Sequence, residues 1–195
     1  MKCLKDTEFF LFSLWLTIFG IIYIVAQVFL YVFITHLFEV RYHTYIFLTQ
    51  FFRSLEIIGY GAIAIVMLIR AGRTGGMEKA GALFLAVWLC MIGMVSFQQS
   101  MEYFIIHTII GVVAGALLII ESRGRNVNET IGRYLLGFWL IAHPLAQYLA
   151  LGYLNVFSGR MVCVVEMRAA LGIMALVSGV FLLISKASST ASKTA

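Results

Sequence analysis

Six predominantly apolar stretches, each of membrane-crossing length, constrain this chain more than any other feature. A bilayer core about 30 Å thick needs about 20 apolar residues in a helix. Residues 10–35, 46–69, 80–97, 101–120, 134–154 and 162–184 meet that need. Within lipid the backbone must satisfy its own hydrogen bonds, which leaves helices and closed barrels. A barrel would alternate polar and apolar positions over segments of about ten residues, and these runs do not alternate. The expectation is an all-α, polytopic integral membrane protein of the cell membrane. One six-helix transmembrane domain would cover residues 1–186, with a disordered polar tail, ASSTASKTA, at 187–195.

Composition excludes the competing classes. The chain is 62% hydrophobic and 12% charged, against about 45–50% and about 25% in a soluble domain. The net charge of +5 is no nucleic-acid footprint, because the 14 basic residues sit between apolar runs. Expected partners are lipids and other membrane subunits, with no nucleic acid. The first run follows Lys2 and Lys5 like a signal peptide. At about 26 residues it far exceeds the 7–15 of a signal h-region, so an uncleaved helix is expected.

Positive charge sets orientation. With the N-terminus inside, ten of the Lys and Arg residues fall inside, and Arg41, Arg160 and Arg168 fall outside. Both termini are therefore expected in the cytoplasm. Asn128-Glu129-Thr130 is a glycosylation sequon, but it falls on the inner side.

Several chemistries find no support. No lysine lies within a span for a retinal Schiff base, and Asp6 is the single aspartate. Cys3, Cys90 and Cys163 form no C-x-x-C. There is no phosphate-binding glycine loop.

Function is sought in polar residues at membrane depth, which are costly and face a bundle interior or a wet cavity. Gln50, Arg53, Glu56 and Tyr60 form one stripe at helical spacing. Arg53 and Glu56 are expected to pair in the outer half, either as a packing lock or as a charged wall of a proton or substrate site. Losing either is expected to harm folding more than Glu8→Gln. Gln98, Gln99, Glu102, Glu166 and Arg168 fall near the same side, where interfacial solvation also explains them.

Tyr103, His107, Gly111 and Gly115 follow i+4 steps on one face of the fourth span. Trp139, His143 and Gln147 do so on the fifth, where Pro144 should bend the helix. His107 and His143 would clamp a haem b, or with Tyr103 and Gln147 would hold a quinone. The plainer alternative is two hydrogen-bonded structural histidines. His36, Glu39 and His43 would share a face if their connector were helical, a weak zinc, copper or iron set. The default there is an interfacial turn.

The helix count and interior histidines resemble the ascorbate-reducible cytochromes b in outline. Those need two histidine pairs on four core helices, whereas His36 and His43 lie in a connector. In size the chain also resembles the substrate-capture subunits of energy-coupling vitamin transporters, without their small-residue signature on the first helix. The leading expectation is a subunit of a respiratory or other electron-transfer complex. A small transporter or capture protein and a lipid-modifying enzyme are the alternatives.

Overall fold

The computed structural model describes residues 7–36, 42–95, 101–122, 125–156 and 161–194, and each regular element among them is a helix. These are α1 (Thr7–His36), α2 (Tyr42–Arg73), α3 (Gly76–Val95), α4 (Met101–Glu121), α5 (Val127–Val156) and α6 (Met161–Thr194). Each apolar run forms the body of one helix. Several helices outrun it, because extending a helix costs far less than starting one. Thus α2 continues through Arg73, where the Thr74 N–H and hydroxyl both donate to the Arg70 carbonyl. Gly76, at φ 58°, supplies the left-handed residue of the turn into α3. α5 opens at an Asn126 cap whose Oδ1 accepts from the Glu129 N–H at 2.8 Å. α6 runs on through residues 187–194, which the sequence reading left as a disordered tail.

Four helical segments are long and apolar enough to cross a membrane: Thr7–Phe29, Gln50–Arg73, Glu102–Glu121 and Met167–Ala187. α3 and α5, also expected to cross, do not reach that measure over their described residues. Charged pairs open both, Glu78 and Lys79 in α3 and Glu129 and Arg133 in α5.

The helices form a ring. Each packs on the next in sequence, and α6 returns to α1 in the most extensive contact of all. Glycine permits the closest approaches. A Cβ on Gly20 would stand 2.6 Å from the Leu176 backbone nitrogen, and one on Gly179 would strike Thr17. A Cβ on Gly115 would lie 3.0 Å from the Gly137 carbonyl. Gly111-x-x-x-Gly115 therefore packs on α5, and Ala175-x-x-x-Gly179 on α1. Both motifs are used within the chain rather than offered to a partner subunit.

The outer surface is far more apolar than that of a soluble protein, and several polar side chains lie inside. Ile22, Val25, Ile58, Ile65, Ile109 and Phe138 are among many large apolar side chains left exposed. Glu8, Gln27, Arg70, Arg133, His107 and His143 are buried.

One end of the ring is tied by ion pairs between residues that fall outside the six apolar runs. Arg133, 1% exposed, donates to Glu129 Oε1 at 2.9 Å and to Glu121 Oε2 at 2.8 Å. Its guanidinium and that of Arg70 lie 4.8 and 5.2 Å from the Phe9 ring. Arg125 bridges Glu78 and Glu129, and Arg73 pairs with Glu8. Glu8 is thus a buried partner on α1 and not the neutral surface reference expected above. These contacts bring the starts of α1, α3 and α5 together with the ends of α2 and α4. Asn126 adds the end of α6 by donating to Ser185 Oγ at 2.9 Å.

Candidate functional site

The ring interior is filled by aromatic side chains at helical spacing. Phe9, Phe12, Trp15, Phe19 and Tyr23 run down one face of α1, with successive ring centroids 5.1–6.1 Å apart. Phe19 meets Tyr60 of α2 at 5.1 Å and Trp139 of α5 at 6.2 Å. On α5, Leu136, Trp139, Leu140 and His143 face inward at steps of three, one and three. On α3 the inward set is Leu85, Trp88, Leu89 and Ile92.

The two histidines meet this core at a common neighbour. The Trp88 ring lies 5.0 Å from His107 and 5.6 Å from His143. Trp139 stands 5.2 Å from His143, and Tyr60 stands 6.4 Å from it, edge-on. His107 and His143 sit on different helices, α4 and α5. The structure shows how one large indole reaches both.

The hydrogen bonding around them is incomplete. His107 donates one ring N–H to the Trp88 backbone carbonyl, leaving Nε2 without a partner. Both nitrogens of His143 are without partners, as are the indole nitrogens of Trp88 and Trp139. Pro144 withholds one helix hydrogen bond. Lacking an N–H, it cannot bond the Leu140 carbonyl, which points across to α4 at Gly111. Buried polar atoms are normally satisfied, and each unmet one costs about 1–3 kcal/mol. Five unmet ring nitrogens at one centre form the strongest chemical signal among the described residues.

A second polar group lies beside this centre. Tyr60 neighbours Glu56 one turn earlier on α2, and Tyr23 lies within electrostatic range of Glu56 and Arg168. Arg168 also reaches His143 electrostatically. Gln27 is buried one turn beyond Tyr23, its Oε1 without a partner.

The nominated residues divide accordingly. His107 and His143 share Trp88 as a neighbour, and Tyr60 stands between His143 and Glu56. Tyr103 borders His107 at 6.5 Å, but its hydroxyl donates to the Met91 carbonyl at 2.7 Å and is committed there. Glu102 is exposed at the start of α4 and joins no ion pair among the described residues. Glu39 lies outside the described residues, as do the side chains of Arg53, Gln147, His36 and His43. The Arg53–Glu56 pair and the His36-Glu39-His43 set therefore fall outside the described part. Among the described residues no three His, Cys, Asp or Glu side chains gather as metal ligands. Trp139 shares the His143 face by its i+4 spacing, whereas Trp88 was not singled out, since an aromatic residue inside an apolar run carries no signal of its own.

The donor atoms would suit haem iron, but the packing does not suit the macrocycle. A Cβ on Gly111, one turn from His107, would stand 2.6 Å from the Leu140 carbonyl and 2.8 Å from Trp88 Nε1. α4 and α5 therefore touch at backbone level where a haem b between them would need a slot. Trp88 is packed against both imidazoles.

Comparison with known families, with curated proteins and with solved structures finds no match to this chain.

Proposed function

We propose that the chain is an integral membrane subunit of an electron-transfer assembly. It holds a quinone headgroup among His107, His143 and Tyr60, with both termini in the cytoplasm. The supporting observation is the set of five buried ring nitrogens without partners. Their inventory matches both forms of such a ligand. Trp88 and Trp139 are donors only, neutral His143 offers one donor and one acceptor, and His107 Nε2 accepts when the other nitrogen is protonated. Donors suit the carbonyls of the quinone, and acceptors suit the hydroxyls of the quinol. The chain's own part is to bind, orient and exchange protons. Under this reading the electrons come from a redox centre on a partner subunit.

The membrane setting is supported by four apolar helices of spanning length and by the exposed apolar surface around them. The inward-facing ends are inferred from their Lys and Arg content.

The test is saturable binding of a decyl-tailed benzoquinone to the purified protein, read by quenching of tryptophan fluorescence. His107→Leu and His143→Leu are each expected to weaken binding about tenfold, or about 1.4 kcal/mol, with melting temperature held within a few degrees. If the parent does not bind, or both variants bind like it, the reading fails and the centre is structural or water-filled.

A transport or substrate-capture role is the second reading. It is favoured by the continuation of polar groups from His143 to Arg168, Tyr23 and Gln27. A lipid-modifying enzyme gains less, because Glu102 stands apart from the histidines.

A further inference from the structure

The seams of the ring are closed in two different ways. α1–α6 is closed by Gly20, Gly172 and Gly179, α4–α5 by Gly111, Gly115 and Gly137, and α5–α6 by Gly132 against Leu182. At each of these a Cβ would meet the opposite helix or a buried side chain within 3.2 Å. α1–α2 differs. It is the sparsest contact between neighbours among the described residues. Its glycines face almost nothing: a Cβ on Gly59 would meet only Trp15 Nε1, at 3.2 Å, and one on Gly61 would meet no atom within 4 Å.

Trp15 is the wedge in that seam. It is half-buried, stacks on Phe12 and Phe19 along its own helix, and sets its edge 5.3 Å from Tyr60. Tyr60 in turn meets His143 edge-on at 6.4 Å. Two side chains therefore separate the outer apolar surface from the unpartnered imidazole. Exposed Ile18 and Ile58 lie within one turn of Trp15 and Gly59 on the outside of α1 and α2.

We infer that the α1–α2 seam is a lateral portal from the lipid, with Trp15 as its gate and Gly59 as the gap that the gate closes. It admits a planar, hydrogen-bonding headgroup that carries an apolar tail. The headgroup passes Tyr60 to His143, and the tail stays in the seam between Trp15 and Gly59. This rests on the quinone-binding reading, and it identifies which ligands reach the centre and by what route. An apolar tail is needed because the seam opens onto exposed isoleucine, where a bare polar solute gains nothing.

The experiment uses the whole protein in phosphatidylcholine vesicles and two probes. One is a decyl-tailed dimethoxybenzoquinone, and the other is the same headgroup without the tail. Gly59→Leu should weaken binding of the tailed probe about tenfold, leaving the tail-less probe within about twofold. Trp15→Ala should speed entry of the tailed probe in stopped-flow mixing. Gly61→Leu, placed where a side chain meets nothing, should change neither. If Gly59→Leu does not fold, the Trp15→Ala entry rate decides alone. If both variants handle both probes like the parent while His143→Leu still weakens binding about tenfold, the portal is overturned and the central site stands. If the parent binds neither probe, both fall.

Discussion

Arg133 holds its charge where neither water nor lipid can solvate it, so its stability depends on Glu121 and Glu129. Breaking a buried pair strands the remaining charge and costs about 3–5 kcal/mol, whereas exposed pairs contribute about 0–1 kcal/mol. Arg133→Ala should therefore lose most of the folded protein. Arg125→Ala, whose side chain is 36% exposed, should melt close to the parent. Thermal melts of the two variants in the same detergent measure the contrast, and equal melting temperatures would show that the Arg133 cage is hydrated. Tyr103→Phe removes one hydrogen bond, worth about 1 kcal/mol. Because that hydroxyl is already spent on Met91, quinone affinity should not move. The packing at Gly111 also predicts no haem absorption band in the purified, reduced protein, and a visible spectrum with a Soret band would refute it. At this scale the histidines were legible in the sequence, because an imidazole at membrane depth needs a reason. Arg133 and Glu121 were not. A hydropathy reading ends each span at its first charges, so it assigns them to connectors, and only the fold brings residues twelve apart on two helices into one cage.

Helix by helix, the small-residue faces matter most. On α1, Gly20 meets backbone of α6, where a methyl group must push the helices apart. Gly20→Ala should therefore destabilise by about 1–3 kcal/mol. Gly61→Ala faces open space in a helix and should be neutral or stabilising by up to about 1 kcal/mol. Denaturation midpoints of the two variants measure this directly, and a harmless Gly20→Ala would refute the α1–α6 contact. Spacing made such faces legible, since Gly111-x-x-x-Gly115 announces close packing wherever it occurs. Spacing could not tell which helix receives the face, and the receiving surfaces proved to be within the chain. The six apolar runs likewise located six helices, whereas their ends were set by caps such as Asn126 and by turn residues such as Gly76, which hydropathy does not register.

Across the whole molecule, the ion pairs collect alternate helix ends on one face of the ring. The proposed orientation, with both termini inside, predicts that a reporter fused after Ala195 scores as cytoplasmic and that Asn128 carries no glycan. An external C-terminus would reverse the orientation and move the Glu56–Arg168 side to the interior. The order of the ring was only partly legible. Short connectors make sequential helices neighbours, but nothing in the sequence announces that α1 belongs beside α6. That pairing has a consequence during synthesis. α1 is made before α6, its most extensively contacted partner, so Gly20, Ser13 and Thr17 stay uncovered until α6 has been synthesised. Contacts this distant along the chain form slowly, and a stalled or truncated chain would present that notch to the insertion machinery and to membrane proteases. Closure of α6 onto α1 is then the event that covers this notch.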